Sequence, residues 1–253
     1  MAYYVELDGT TSTINCGTDA SITDIPSAAF TVDAWIYPTS LVGAQVIACK
    51  GVSGGYGWWF EMIGGGAPLR LRGLAESDWG TADSYANEVV ALDTWQHVAM
   101  YFHTDLKLYL ALGGTWATYA SQIAMGGPYG GEDGNPLWLG YDGKLADAGF
   151  HFDGYQSWVR LSTGDRFGVG VNFTPPAFCI PPVVDGTTIE IWPLDEGAGA
   201  SAGALVNAAN DGTMTDCVWH GCPDAKGYVS GSAASAALTG TDTAVHLVAG
   251  SDA

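Results

Sequence analysis

Phe30-Thr31-Val32-Asp33-Ala34-Trp35-Ile36-Tyr37-Pro38 alternates along its whole length. Phe30, Val32, Ala34 and Ile36 point one way and Thr31, Asp33 and Trp35 the other, which is the period of a β-strand. Pro38 ends the run. Upstream, residues 3–16 set Tyr4, Glu6 and Asp8 against Tyr3, Val5 and Leu7, and Asp8-Gly9 marks a turn. Downstream, residues 46–50 and 57–63 read as strands joined by a glycine-rich turn, and residues 69–73 follow. Residues 74–91 are polar and irregular and read as a loop over one sheet. Residues 95–103 and 106–112 form a hairpin about Thr104-Asp105. A short strand at 116–122, a surface loop at 125–135 and strands at 137–141 and 154–161 close this block. Every strand is short and no helical period is sustained. The class is all-β, with two packed antiparallel sheets.

Composition agrees and sets limits. A chain of 253 residues with 47% hydrophobic residues, ten Trp and twelve Tyr can fill a sizeable core. Its 36 Gly and 11 Pro supply many turns. Eight basic against 27 acidic residues leave a net charge of −19, which excludes a phosphate backbone as partner and disfavours anionic membranes. Nothing approaches a membrane-spanning apolar run. The acidic excess reads first as a solubility charge and second as a source of clustered oxygen ligands for Ca²⁺. The N-terminus shows no basic or apolar leader segments, so no signal peptide is visible.

The ordered motifs Val5-Glu6-Leu7-Asp8-Gly9, Phe30 to Pro38, Trp95-Gln96-His97-Val98-Ala99-Met100-Tyr101, Leu106-Lys107-Leu108-Tyr109-Leu110, Leu137-Trp138-Leu139-Gly140-Tyr141 and Phe152-Asp153-Gly154-Tyr155-Gln156-Ser157-Trp158-Val159-Arg160-Leu161 carry a resemblance. Together they are similar to the laminin-G-like jelly roll of the concanavalin A-like lectin/glucanase superfamily. On that resemblance residues 1–174 are the jelly roll. Residues 175–188 are a Pro-rich strap. Residues 189–226, with Trp192-Pro193-Leu194-Asp195-Glu196-Gly197 and Asn210-Asp211-Gly212-Thr213, supply strands completing the same sandwich. Residues 227–253 are a small-residue tail suited to docking on a neighbouring subunit.

The resemblance implies a calcium ion held near the sandwich rim, for which Asp8 and Asp153 match the motif positions and Asp195 and Asp211 are additions. The competing reading of each is an Asp-Gly turn in which the carboxylate bonds its own backbone. Candidate carbohydrate-stacking rings are Trp58, Trp59, Trp79, Tyr85, Trp116, Tyr119 and Tyr129, set against burial, which is the common fate of tryptophan. Trp35, Trp95, Trp158 and Trp192 match core positions of the family. Cys217 and Cys222 frame a short segment compatible with a disulfide loop, while Cys16 and Cys49 read as buried thiols.

Glycosidases of this fold need paired carboxylates on one strand face. The Glu-x-Asp-x-x-Glu pattern of the related glucanases is absent, and Glu6-Leu7-Asp8 is its nearest approach. The expected function is therefore a non-catalytic binding and assembly module. Its expected setting is a virion surface, as a capsid decoration protein or tail adhesin, with glycans and neighbouring subunits as partners. A secreted or cell-surface adhesin or filament subunit is the alternative, and a glycoside hydrolase the third reading.

Overall fold

The computed structural model describes residues 2–23, 29–51, 56–65, 68–78, 80–127, 134–143 and 150–222. The tail at 227–253, Trp79 and Tyr129 lie outside the described residues. The first sheet runs in the order β10 (Thr115–Trp116), β9 (Leu108–Leu112), β8 (Gln96–Phe102), β3 (Phe30–Pro38), β13 (Asp153–Thr163), β1 (Tyr3–Asp8) and β17 (Val218–Gly221), with β14 (Thr188–Trp192) pairing the far half of β13. The second runs β11 (Tyr119–Ile123), β7 (Gly80–Val89), β6 (Arg70–Ser77), β5 (Gly57–Gly65), β4 (Val42–Gly51), β12 (Leu137–Leu139), β2 (Thr13–Asn15), β16 (Gly212–Thr215) and β15 (Ser201–Ala202). No helix among the described residues is long and apolar enough to cross a membrane.

Alternation places the core. Phe30, Val32, Ala34 and Ile36 of β3 meet Trp58, Phe60 and Met62 of β5 between the sheets, with the Phe30 and Trp58 rings 5.2 Å apart. Each such side chain stabilises the fold by roughly 1.5–3 kcal/mol through burial. Gly154, opposite Pro38, has φ 141°, and a Cβ there would stand 2.1 Å from the Tyr37 carbonyl oxygen. Only glycine lets β13 approach β3 this closely.

Residues 74–91 are not a loop, for β6 continues to Ser77 and β7 fills 80–89. Their inward residues, Ala75, Ser77, Ala82, Ser84 and Ala86, are small, as is Gly73 just before them, so the period-two signal lacks hydrophobic contrast. Gly73 has little room to be larger: a Cβ there would lie 3.0 Å from the Met100 sulfur. The C-terminal segment is woven into both sheets, as β14 pairs β13, β16 pairs β2 and β17 pairs β1. Trp192 donates from Nε1 to the Asn210 carbonyl, and the buried Glu190 carboxylate accepts from the backbone N–H groups of Val206 and Asn207 and from Asn210 Nδ2.

Residues 165–179 cross the outer face of the first sheet as a strap, starting ten residues before the proline-rich stretch. Trp35 and Trp158 donate from their ring nitrogens to the carbonyls of Pro176 and Ala177. Phe167 and Phe173 stack on one another at 4.0 Å and meet His97 edge-on. Sealed beneath them, Asp33 accepts two hydrogen bonds from Arg160, at 2.8 and 2.7 Å, and one from His97 Nε2 at 3.0 Å. Burial alone raises the Asp33 carboxyl, but these bonds and the Arg160 charge outweigh it and hold it below the usual carboxylate value.

Cys222 pairs with Cys179 at the end of the strap rather than with Cys217. The extended β17 lies between Cys217 and Cys222. Five residues of strand span about 16 Å, beyond the roughly 7 Å between Cα atoms that a disulfide tolerates. Cys179 approaches to a Cα separation of 6.4 Å. Cys217 is a thiol that burial pushes up to about 12, and Cys16 and Cys49 are buried thiols.

Asp33→Ala leaves the buried Arg160 cation unpaired and His97 Nε2 without its partner, and is expected to cost about 3–5 kcal/mol of unfolding free energy in urea. Because the folded Asp33 pKa is depressed, its contribution is present above the ordinary carboxylate pKa of about 4 and lost as pH falls through the folded value. The wild-type midpoint should therefore drop on acidification below that range, and the Asp33→Ala midpoint should drop less. Cys222→Ser opens a closure of 43 residues in sequence. It is expected to cost about 2–4 kcal/mol in thermal unfolding; an unchanged midpoint would remove the bond from the stability of the fold.

Candidate functional site

The strap covers part of the first sheet's outer face, whereas the second sheet's outer face carries three recesses among the described residues. Along the β5–β6 pair, the outward side chains are Trp59, Glu61 and Ile63 opposite Leu74, Arg72 and Arg70. The first recess, about 190 Å³, is lined by Trp59, Glu61, Arg72, Leu74, Glu76, Asp142 and Phe150. The second, about 570 Å³ and more open, lies further along the same strand pair, with Ile63, Arg70, Tyr85, Ala44, Pro68 and Ala120 in its walls. Tyr141–Asp142 and Phe150–His151 separate the first recess from a third of about 530 Å³, whose walls include Thr11, Thr13, Asn15, Trp138 and Thr213.

Arg72 organises the centre of this groove. It pairs with Glu61 at 2.8 Å and with both oxygens of Asp83 at 3.0 Å, and its guanidinium lies 4.9 Å over the Tyr85 ring. Burial lowers the Arg72 pKa, yet the bond to Asp83 and the charges of Glu61 and Asp83 raise it further, so the cation is permanent. Burial pushes the Glu61 carboxyl up, and pairing with Arg72 pulls it part of the way back. Tyr85 is half-exposed and held face-on by the cation beneath it. Arg70 has no hydrogen bond or ion pair among the described residues. The arrangement offers an aromatic face, an unpaired guanidinium and ordered carboxylates along one open channel.

The ring residues singled out from sequence divide here. Trp58 is 1% exposed and belongs to the inter-sheet core, and Trp59 is 3% exposed, packed with Val46, Cys49 and Phe150 below the groove. Two adjacent strand residues face opposite ways, and here both sides are covered. Trp116 donates to the carbonyls of Gly168 and Val171 and supports the strap. Tyr119 donates no open surface either, since its hydroxyl accepts from the Leu110 N–H. Of the set, Trp59 shows only a small area in the wall of the first recess, and Tyr85 is the half-exposed ring in the second. Arg70, Arg72 and Glu61 fell in segments read as strands but were not singled out, because Asp83, the partner of Arg72, lies in the segment read as loop; a weak alternation Arg70, Arg72, Leu74, Glu76 was the available signal.

Of the four aspartates, Asp8 behaves as a turn residue. Both oxygens of Asp8 are taken by Thr10, Thr11 and the N–H of Ser12; burial raises this carboxyl, but those bonds outweigh it and hold it far below the usual range. Asp153 stands opposite Asp8 on β13 and accepts from the Thr39 hydroxyl. Asp211 accepts from the Ala204 N–H, and burial raises the half-buried Asp195 carboxyl. No three Asp, Glu, His or Cys side chains are grouped as a metal cage among the described residues.

A search of curated proteins finds no match to this chain. Among solved structures, the chain is similar to the heptameric SAP-like pentraxin of Limulus polyphemus at 15% identity, with 63% of this chain and 75% of that one covered and a TM-score of 0.49. It is similar to the tailspike protein 2 enzymatically active domain of bacteriophage CBA120 at 12% identity and a TM-score of 0.42, covering 65% of this chain and 29% of that one, less than a third of the tailspike's length. A Ruminococcus gnavus IT-sialidase CBM40 bound to α2,3-sialyllactose is similar at 16% identity, 62% and 88% coverage and a TM-score of 0.42. A laminin-G family model, described as the concanavalin A-like lectin/glucanases superfamily, matches residues 8–166, well over half of the chain. This chain belongs to the concanavalin A-like lectin/glucanases superfamily.

Proposed function

We propose that the protein is a non-catalytic saccharide-binding module whose ligand lies in the groove on the second sheet. The observation that carries this reading is the Tyr85 ring, held flat by Arg72 and flanked by Arg70, Asp83 and Glu61 in an open channel. Sugar C–H faces stack on such a ring while hydroxyls bond to the flanking charged groups. Concavity, an aromatic wall and a few converging polar groups are the general marks of a ligand site.

Catalysis is not part of the reading. A general acid must reach the leaving group, whereas the Glu61 carboxylate is engaged by Arg72 at 2.8 Å. Glu76 lies four residues beyond Arg72 along β6, about 13 Å of strand, against carboxyl separations of about 5–10 Å in glycosidases. We place the module outside the reducing cytoplasm, on a virion or a cell surface, because a bond such as Cys179–Cys222 persists in oxidising surroundings.

On a glycan array followed by calorimetry with the best-bound saccharide, Tyr85→Ala is expected to weaken Kd about tenfold or more. An unchanged Kd would remove the groove from binding. No reducing ends should be released from that saccharide on prolonged incubation; their appearance, lost in Glu61→Gln, would make the protein a hydrolase. EDTA is expected to leave both Kd and the melting temperature unchanged. A calcium-dependent rise in melting temperature that Asp153→Asn abolishes would instead put an ion at the β1–β13 rim.

A further inference from the structure

The part of the first sheet that the strap leaves open is paved with aromatic rings drawn from five strands or their edges. Trp95 at the start of β8, Tyr37 of β3, Tyr155 of β13, Tyr4 of β1 and His220 of β17 all stand on the outer face, half-exposed. They touch in a continuous chain: Trp95 and Tyr37 at 5.6 Å, Tyr37 and Tyr155 at 5.5 Å, Tyr155 and Tyr4 at 5.3 Å, and Tyr4 and His220 stacked at 5.4 Å. Phe178, at the end of the strap, closes the other edge against Trp95 at 4.4 Å.

Packing alone does not account for this surface. Aromatic rings that only fill space are covered, and buried tyrosines find a partner for the hydroxyl. Here Tyr4, Tyr37 and Tyr155 have no hydrogen-bond partner for their hydroxyls among the described residues. The rim is acidic. Glu6, opposite Tyr155 on β1, accepts from His220, and Asp93 and Asp153 lie near enough for their charges to act on the Tyr155 phenol. Burial, then Glu6 and the other neighbours, raise that phenol, so it remains a donor at neutral pH. The surface is held rigidly from both sides, by the β ladder beneath and by the Cys179–Cys222 bond beside β17. Rigid rings lose little conformational freedom on binding.

We propose that this tyrosine-rich platform is a second saccharide-binding face, taking an uncharged polysaccharide across Trp95, Tyr37, Tyr155 and Tyr4. Sugar rings lie on the aromatic faces, phenol hydroxyls donate to sugar oxygens, and Glu6, Asp93 and Asp153 accept from sugar hydroxyls. An acidic polymer is disfavoured by the rim carboxylates and by the net charge of −19. The platform and the second-sheet groove are on opposite outer faces of the sandwich, so the module would hold two chains at once. The inference rests on its own residues and stands or falls apart from the groove.

Affinity electrophoresis through gels containing mannan, galactan, xylan or laminarin tests it, using the full chain. In at least one gel, wild type should be retarded and Tyr85→Ala should keep a residual retardation. Tyr85→Ala/Tyr155→Ala should lose that residue, and Tyr4→Phe/Tyr155→Phe, which keeps every ring, should bind about tenfold more weakly than wild type. Circular dichroism melts establish that each variant is folded. If Tyr85→Ala abolishes retardation and Tyr155→Ala and Tyr4→Phe/Tyr155→Phe both behave as wild type, the platform is overturned and the groove stands. If Tyr155→Ala abolishes it and Tyr85→Ala does not weaken it, the platform stands and the groove falls. Wild type that is retarded in none of the four gels overturns the platform. So does light scattering that shows a dimer dissolved by Tyr155→Ala, because another copy of the chain would then be its occupant.

Discussion

The Asp33 carboxylate, enclosed by Arg160 and His97, is the interaction on which the outer architecture depends. Three polar groups on adjacent strands face away from the core, where water would ordinarily satisfy them. Instead the strap closes over them, and Asp33 and His97 show no exposed surface. Buried charges are tolerated only when paired and hydrogen-bonded, so the cluster and its lid are mutually dependent. The same demand explains why the lid is aromatic. Phe167 and Phe173 cover His97, and the Arg160 guanidinium rests near the Trp158 and Phe167 rings.

Closing one part of the first sheet leaves two surfaces of different character. The second-sheet groove is organised by a cation, Arg72, which fixes two carboxylates and one ring. The platform has no cation at its centre and is organised by ring contact. Both are preorganised, the first by ion pairing and the second by a β ladder that sets ring spacing. A single module with two such faces suits multivalent attachment, in which linked weak contacts combine into firm binding.

Much of the frame was legible in the residues. Phe30 to Pro38 and Tyr3 to Asp8 alternate with strong contrast, so their strand state and the face each side chain takes follow directly. The 95–112 hairpin was equally clear. Residues 74–91 were not, because Ala82, Ser84 and Ala86 turn inward and small residues carry no hydrophobic signal. Cysteine pairing was also beyond sequence reasoning. Proximity of Cys217 and Cys222 along the chain is separation in space once an extended strand runs between them.

The sequence by itself determined the all-β class and the alternating faces of β1 and β3, and its charge of −19 argues against a phosphate backbone as partner. These follow from local period and total charge, which need no knowledge of neighbours. Tertiary structure alone decided which aromatic rings are open. Trp58 and Trp59 were covered from both sides of one strand, while Tyr4, Tyr37, Trp95 and Tyr155, distant along the chain, were aligned by antiparallel register into one surface. Strand order and register are long-range pairings, and a ring's exposure depends on what crosses above it. No single stretch of residues encodes that.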